Sequence, residues 1–297
     1  MTADLHAMPG NEAAAERLAA LLDLPCRPVA LRRFPDGESL VTVGPAATTA
    51  LLYASLDQPD GKLMPLLLAA SALRDRGARR VVLIAPYLAY MRQDRAFAPG
   101  EAVSQRVIGG LIGAAFDALV TVDPHLHRTP HLATVVPGIT AVTVAAAETL
   151  SRALAATVTA DTLLVGPDGE SRPWVEAVAA PLGLEVMVGT KVRQGDRAVA
   201  IALPEVRRAA GRPVILVDDL ISSGGTLIAC AGQLIAAGAT RVGAVATHCL
   251  AAAADLAALA AHGIAGVSAT DTVPGPAATI PIAPALAAAL RAHGLVA

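Results

Sequence analysis

Short apolar runs alternate with longer stretches of helical periodicity along most of the chain. A few consecutive apolar or β-branched residues predict a buried strand, whereas apolar residues that recur every three or four positions predict a helix. The predicted strands are 39–43, 50–55, 81–85, 119–122, 162–165, 185–189, 214–217 and 241–247. The predicted helices are 11–22, with Asn11 as its N-cap, then 62–76, one that starts within 100–104, 145–156, 172–180, 227–237, 252–261 and 285–292. This alternation of strands and helices predicts an α/β fold.

The β–α order begins again near residue 145, so the two halves of the chain resemble each other. With a length of 297 residues, the chain suits two domains of ordinary size. We expect two doubly wound parallel-sheet domains, residues 1–145 and residues 146–297, with the C-terminal tail packing back on the first. In open sheets of this kind, ligands bind beyond the carboxyl ends of the strands.

The stretch from Pro213 to Gly238 has the residues most typical of a ligand-binding site. An apolar strand ends on two carboxylates, Asp218 and Asp219, and a small-residue loop leads into a helix that Gly238 closes. A helix N-terminus behind a glycine-containing loop offers free backbone N–H groups and a favourable dipole to an anion. The residues alone also allow an ordinary turn between a strand and a helix, with solvated acids.

The residues of the loop indicate which kind of anion it could bind. Gly224 and Gly225 allow the backbone to approach a ligand, and Ser222, Ser223 and Thr226 add hydroxyl donors. The loop has no Lys before its Thr, which excludes a Walker A loop, and it lacks the G-x-G-x-x-G spacing of dinucleotide-binding folds. Two carboxylates ahead of a phosphate cradle suit a sugar phosphate, whose hydroxyls would face the acids.

Composition and charge exclude several other classes of function. Hydrophobic residues make up 54% of the chain and the formal net charge is −2, so there is no general basic field for nucleic acid. The three cysteines are far apart, which fits a reducing compartment rather than a disulfide framework. We expect neither a signal peptide nor a membrane span. A cytoplasmic protein is the expectation.

Polar residues follow several other predicted strands or lie in turns. These segments are FPDGE at 34–38, RQDR at 92–95, DPH at 123–125, GPD at 166–168 and KVR at 191–193. Taken one at a time, most of them are typical of a turn or a solvated loop. Asp168 differs, because a carboxylate at the end of a buried strand lies where parallel sheets bind ligands.

Together these segments resemble a known family. VILVDDLISSGGT at 214–226 is similar to the phosphoribosyl-binding motif shared by phosphoribosyltransferases and ribose-phosphate pyrophosphokinases (PRPP synthetases). The other segments, in this order, resemble PRPP synthetases over essentially the whole chain. GEAVS at 100–104 resembles the shorter archaeal-type branch. The resemblance implies two domains of phosphoribosyltransferase type.

The resemblance also implies a reaction and a role for each motif. Pyrophosphate would pass from MgATP to O1 of ribose 5-phosphate, which gives PRPP and AMP. The implied catalytic residues are Lys191 and Arg193, in the polar stretch 190–196, which resembles the family's flexible catalytic loop. The implied ATP-binding residues are Phe34, Asp36, Gly37 and Glu38, reaching ATP from a neighbouring subunit, and Arg92, Gln93, Asp94 and Arg95. The implied ribose 5-phosphate residues are Arg193, Asp218, Asp219, Ser222, Ser223, Gly224, Gly225 and Thr226.

The implied cofactor is Mg²⁺, with His125 and Asp168 on the metal side of MgATP. The implied assembly is a homo-oligomer, without a nucleic-acid or membrane partner. The chain departs from the family pattern at Glu170, where Gly is usual, and over 126–134, which lacks the usual Phe. Three alternatives therefore stay open: a phosphoribosyltransferase that uses PRPP, a paralogue acting on another sugar phosphate, and a non-catalytic regulatory paralogue.

Overall fold

The computed structural model describes residues 2–126, 128–194 and 198–296, and among these it describes the backbone alone within 191–200. The chain divides into two compact units, each with a parallel sheet. The first contains Met1–Ala145, Thr272–Pro274 and Ile282–Ala297, and the second contains Ala146–Asp271 and Gly275–Pro281.

The first unit is built on a six-stranded parallel sheet of order β2-β1-β5-β6-β7-β8. Its strands, with the antiparallel hairpin β3–β4, are β1 Ala3–Ala7, β2 Cys26–Pro28, β3 Ala30–Arg33, β4 Ser39–Thr42, β5 Thr49–Tyr53, β6 Arg80–Ile84, β7 Ala118–Val122 and β8 Thr140–Val144. Its helices in this part of the chain are α1 Glu12–Leu22, α2 Asp60–Asp75, α3 Ser104–Ala115 and α4 Leu132–Val135.

The second unit repeats this plan with the order β10-β9-β13-β14-β15-β16, again parallel. Its helices are α5 Ala147–Leu154, α6 Arg172–Ala179, α7 Gly225–Ala236 and α8 Ala253–Ala261. Its strands, with the antiparallel hairpin β11–β12, are β9 Leu163–Gly166, β10 Glu185–Val188, β11 Thr190–Gln194, β12 Ala198–Ala202, β13 Pro213–Ile221, β14 Arg241–Cys249, β15 Ile264–Thr270 and β16 Ala278–Ile280.

The last helix, α9 Ala283–Ala292, belongs to the first unit. It packs on α1, where the Arg291 guanidinium donates to the Leu21 carbonyl at 2.7 Å. Within the described ranges, no helix is long and apolar enough to cross a membrane.

Each sheet has a point at which the strand order reverses, between β1 and β5 in the first unit and between β9 and β13 in the second. Crossovers that leave this point in opposite directions are right-handed, and therefore place their helices on opposite faces of the sheet. Each unit also buries its own apolar core, which includes Leu52 and Leu83 in the first and Val165 and Leu216 in the second. The predicted pair of doubly wound parallel sheets is confirmed.

Most predicted elements are present within a few residues, and three details are corrected. The strand predicted at 214–217 runs on through both acids to Ile221, and α7 begins at Gly225 rather than at Leu227. The polar stretch predicted as a flexible loop from Thr190 to Asp196 begins as strand β11, because Thr190–Gln194 pairs with Ala198–Ala202. Residues 195–197, at the tip of that prediction, lie outside the described residues.

The third correction concerns Asn11, predicted to cap the first helix. Asn11 stands at the N-cap position, but its side chain makes no capping hydrogen bond. Its amide nitrogen donates to the carbonyls of Met8 and Pro9, and its oxygen accepts from the Ser55 backbone at 2.9 Å. The side chain therefore joins the segment after β1 to the segment after β5.

Candidate active site

The loop between β13 and α7 lies beyond the carboxyl end of β13, at the reversal point of the second sheet. Gly224 has a φ of +78°, in the left-handed region that favours glycine. A Cβ at Gly224 would also lie 2.6 Å from the Leu259 side chain. The backbone conformation therefore favours glycine here, and a larger residue would also displace the Leu259 side chain.

The surface of this loop is polar and faces solvent. Ser222, Ser223 and Thr226 are exposed, and so is Gly225, where a Cβ would meet no atom within 4 Å. The first turn of α7 leaves backbone N–H groups without partners inside the helix, and its dipole is positive at this end. The loop can therefore receive an anionic group without rearranging.

The acid pair at the end of β13 is largely buried. Asp219 is 6% exposed, and its backbone N–H donates to the Asp218 carboxylate at 3.0 Å. Burial, followed by the charges of Asp219 and Asp168, raises the pKa of Asp218 to about 8. These groups concentrate negative charge beside the loop, and a bound cation or sugar hydroxyls would relieve it.

Asp168 reaches the same edge of the sheet from β9, the neighbour of β13. It is 8% exposed, and its carboxylate accepts from the backbone N–H groups of Glu170 at 2.9 Å and Ser171 at 3.2 Å. The Ser171 hydroxyl donates to the Asp168 carbonyl at 2.6 Å. Position 170 contributes its backbone here, so glutamate in place of the family's usual glycine preserves these contacts.

Cys230 lies on α7 behind the acids and is fully buried. Burial, and then the charges of Asp168 and Asp218, raise the pKa of its thiol to about 12. A thiol that stays protonated is a poor nucleophile and metal ligand. Cys230 therefore packs in the core and takes no part in chemistry.

In the first unit, the RQDR and DPH motifs follow the neighbouring strands β6 and β7. The loops that carry them contain two non-glycine residues in the left-handed region, Tyr90 (φ 65°) and Asp123 (φ 33°). Such conformations cost energy and cluster at ligand sites. Arg92 and Arg95 are exposed there, and His125 is half-buried.

The two middle residues of RQDR are already engaged with protein groups. The Asp94 side chain is only 3% exposed and accepts from the Arg128 guanidinium at 3.0 Å. The Gln93 side-chain oxygen accepts from the Ser104 hydroxyl at 3.2 Å. Arg92 and Arg95 are therefore the residues of this motif that face solvent, whereas Asp94 holds the loop in place.

FPDGE forms the turn of the hairpin β3–β4. Phe34 and Glu38 close it by a backbone hydrogen bond of 2.8 Å, and Gly37 has a φ of +92°. The side chains of Asp36 and Glu38 are exposed, and the Arg32 guanidinium lies 4.9 Å from the centre of the Phe34 ring. The sequence pattern predicted this turn, and the structure leaves both acids facing solvent.

The hairpin and the RQDR loop both contact the first turn of α2. The Arg33 guanidinium donates to the Gly61 carbonyl at 2.8 Å, and the Tyr90 hydroxyl donates to the Asp60 carboxylate. The structure therefore connects three motif-bearing segments of the first unit: the hairpin through α2, and the RQDR and DPH loops through neighbouring strands. Of the two residues predicted on the metal side of MgATP, His125 lies in the first unit and Asp168 in the second.

The predicted catalytic residues, Lys191 and Arg193, lie in strand β11. Their backbones pair with Ile201 and Val199 in the hairpin β11–β12, and their side chains lie outside the described part.

Among the described residues, no three His, Cys, Asp or Glu side chains form a metal-binding cluster. Mg²⁺ that arrives with a nucleotide needs only one or two protein carboxylates, because phosphates and water complete its shell.

Sequence reasoning missed Gln105 and Arg128, which hold the motif-bearing loops of the first unit. Gln105 is 6% exposed, and its amide contacts Met91 and Thr129. No local pattern marks either residue, since each acts between loops far apart in sequence. A polar residue directly after the segment 100–104, where a helix was predicted to start, was the one available signal.

Known protein families match both halves of the chain. The N-terminal domain of ribose phosphate pyrophosphokinase matches residues 4–115, and the phosphoribosyl transferase domain matches residues 141–262. The ribose-phosphate pyrophosphokinase of Methanopyrus kandleri is 38% identical over 278 residues, covering 93% of this chain and 94% of that protein. The enzyme of the same name from Methanothermobacter thermautotrophicus is 32% identical, covering 94% and 98%.

A solved structure is similar over its whole length. The crystal structure of phosphoribosylpyrophosphate synthetase from Mycobacterium smegmatis superposes with a TM-score of 0.81 at 26% sequence identity, covering 99% of each chain. The similarity therefore extends through both parallel-sheet units.

Proposed function

Since the chain belongs to the ribose-phosphate pyrophosphokinase family, we propose that it transfers pyrophosphate from MgATP to O1 of ribose 5-phosphate, giving PRPP and AMP. The observation that carries this proposal is the geometry after β13: a glycine-dependent anion loop beside two largely buried carboxylates. A phosphoribosyltransferase is not favoured, because the N-terminal match covers residues 4–115 and that domain carries RQDR and DPH.

On the sugar side, the loop from Ser222 to Thr226 holds the 5-phosphate. Hydroxyl and backbone N–H donors surround an anion there, with the positive end of α7 behind them. Asp218 and Asp219 accept hydrogen bonds from the ribose hydroxyls. Because burial and neighbouring acids disfavour the ionised form of Asp218, hydrogen bonds from the ribose hydroxyls would stabilise that form.

On the nucleotide side, Arg92 and Arg95 contact the phosphates or the base, because both side chains are exposed. The loop that carries them is held in place by the buried Asp94 carboxylate. Gln93 and Asp94 support them from their protein-bound positions, and His125 lies on the next loop. The exposed acids of FPDGE, with Phe34 and Gly37, bind the nucleotide of a neighbouring subunit.

The donor set fits Mg²⁺, since hard carboxylate oxygens are crowded at one sheet edge. In the second unit, Asp168, Asp218 and Asp219 are the residues that would hold it or its water shell. In the first unit, His125 is the residue that would contact the metal of MgATP. When bound, Mg²⁺ neutralises charge on the transferred phosphates.

In the reaction, the sugar O1 attacks the β-phosphorus as the bond from that phosphorus to the α–β bridging oxygen breaks. AMP leaves, and the hydroxyl proton passes to solvent. The developing charge on the phosphate oxygens is met by the Lys191 ammonium and the planar Arg193 guanidinium. Positioning and charge stabilisation, rather than covalent catalysis, therefore supply the rate.

The direct test is to incubate the protein with MgATP and ribose 5-phosphate and to measure AMP and PRPP. Lys191→Ala is the matched variant: kcat should fall about 10²–10³-fold while substrate Kd values stay similar, because the lost charge acts in the transition state. A folded wild-type chain that makes no AMP would favour the regulatory paralogue. Normal turnover by Lys191→Ala would remove that residue from the mechanism.

We also propose a homo-oligomer in the cytoplasm, with the FPDGE hairpin serving a neighbour. Mixing Glu38→Ala subunits with Lys191→Ala subunits should then restore activity, because some sites combine an intact hairpin with an intact lysine. In a twofold dimer, one of the two sites of each mixed dimer is intact, so about half of its activity returns. Verified mixed oligomers without restored activity would show that each site is built from one chain.

A further inference from the structure

The two nucleotide loops of the first unit are tied together by one buried amide. The loop after β6 carries Arg92 and Gln93, and the loop after β7 carries His125. Between them stands Gln105, in the first turn of α3 and 6% exposed. Its amide nitrogen donates to the Met91 carbonyl at 3.2 Å, and its amide oxygen accepts from the Thr129 hydroxyl at 3.0 Å.

The backbone of the same residue makes a third contact. The Gln105 N–H donates to the Gln93 carbonyl at 3.2 Å, so the residue holds both sides of Arg92. The outer link between these loops, from Arg128 to Asp94, uses a guanidinium that is 52% exposed. The Asp94 carboxylate at the other end of that link is 3% exposed. Gln105 differs in that its single amide is buried and contacts both loops, and a buried amide left without partners is costly.

We propose that Gln105 is a positioning residue for nucleotide binding, setting the RQDR loop and the DPH loop at a fixed spacing. This inference rests on the proposed function for the identity of the ligand, MgATP. An amide is suited to this role because it donates to one loop and accepts from the other, which neither a carboxylate nor an amine does. A ligand that contacts both loops then meets groups already in register, which lowers the entropy lost on binding.

The test compares two buried amides of the first unit. Gln105→Met keeps the length of the side chain and removes both side-chain hydrogen bonds. Asn11→Leu does the same to an amide that joins the segments after β1 and β5, neither of which carries a proposed nucleotide residue. Calorimetry on the full chain gives Kd for MgATP and for ribose 5-phosphate, and thermal unfolding gives the loss of stability.

Both variants should lose similar stability, but only Gln105→Met should weaken MgATP binding, by about tenfold, as expected for misplaced binding groups. Ribose 5-phosphate affinity should stay within twofold in both. Thr129→Val removes the same link, so combining it with Gln105→Met should weaken MgATP binding less than the product of the single effects.

Equal MgATP affinity in the two variants would overturn the inference, and so would a wild-type chain that binds no MgATP. The outcome is separable from that of the proposed function. A wild-type chain that makes AMP, with no selective effect of Gln105→Met, refutes the positioning role alone. Selective loss of MgATP affinity in a chain that makes no AMP refutes the reaction alone.

Discussion

Two strand–loop–helix segments occupy the same topological position in the two units. The first runs from β5 through residues 54–59 to α2, and the second from β13 through residues 222–224 to α7. Both lie beside the reversal point of a parallel sheet. Their loops differ. The second loop has glycine at position 224 and exposes hydroxyl groups. In the first loop, the Lys62 ammonium donates to the Ser55 carbonyl at 3.0 Å and to the Asp57 carboxylate at 2.6 Å.

The difference indicates that strand topology determines where a ligand site can lie, whereas the side chains determine what can bind there. The first loop has its own cation, because the Lys62 ammonium pairs with Asp57, while the Ser55 hydroxyl is buried without a hydrogen-bond partner among the described residues. The second loop has no cation among its residues 222–226, and the acids beside it repel one another. It gains most from an external ligand that carries both an anionic group and hydroxyls.

The largest effect should come from placing a negative charge in the second loop. Gly225→Glu puts a carboxylate where the 5-phosphate is proposed to lie, with no clash at Cβ. The Kd for ribose 5-phosphate, measured by calorimetry, should rise at least about 100-fold, or about 2.7 kcal/mol. The Kd for MgATP should change far less.

Gly61→Glu is the matched control, since Gly61 lies in the first turn of α2 and its Cβ would meet only Arg33 at 3.8 Å. A carboxylate in a first helical turn is favourable in both places, so stability should not separate the variants. If Gly61→Glu weakened ribose 5-phosphate binding as much, the two loops would not differ as proposed.

The second effect concerns the acids of the second loop and depends on pH. Unfolded chains ionise Asp near pH 3.9, whereas the pKa of Asp218 in the folded protein is raised to about 8. Between these values the folded state binds more protons, so stability falls as pH rises, by at most about 1.4 kcal/mol per pH unit. Asp218→Asn should therefore raise Tm more at pH 8 than at pH 5.

Scanning calorimetry of the ligand-free protein at both pH values checks this. Asp75→Asn, at an exposed carboxylate of α2, serves as the control and should give the same Tm difference at pH 5 and pH 8. Asp218→Asn should also bind ribose 5-phosphate more weakly, because it loses acceptor capacity. A pH-independent Tm difference for Asp218→Asn would argue that the acids are not crowded in the folded protein.

Sequence patterns predicted the fold class because both units repeat apolar strands followed by amphipathic helices. They also identified the second loop, whose strand, acids, small residues and helix are contiguous. They ended β13 too early, because two acids in a strand predict its exposure, yet Asp219 is buried. They read Thr190–Gln194 as a loop, since its strand character depends on pairing with Ala198–Ala202.

The contacts that hold the RQDR and DPH loops could not be predicted from the sequence, for a related reason. Gln105 and Arg128 bind residues from other strands' loops, so nothing within a short window distinguishes them from ordinary polar residues. Asn11 is a residue type that often caps helices, but its side-chain oxygen accepts a hydrogen bond from the Ser55 backbone instead. Tertiary contacts decided all three cases.

The smallest effect should come from the first loop, and it tests whether that loop is self-sufficient. Lys62→Met removes an ammonium that joins a buried backbone carbonyl to a carboxylate only 17% exposed. Because both acceptors lose a charged donor, the free energy of unfolding should fall by about 1–2 kcal/mol in chemical denaturation.

Arg152→Met is the control, because it breaks an exposed ion pair with Glu148 and should lower the free energy of unfolding by less than about 0.5 kcal/mol. Ribose 5-phosphate affinity should be unchanged in both variants, since the proposed site for that ligand is in the second loop. A selective loss of ribose 5-phosphate binding in Lys62→Met would mean that the first loop also takes part in sugar-phosphate recognition, and the contrast between the loops would fail.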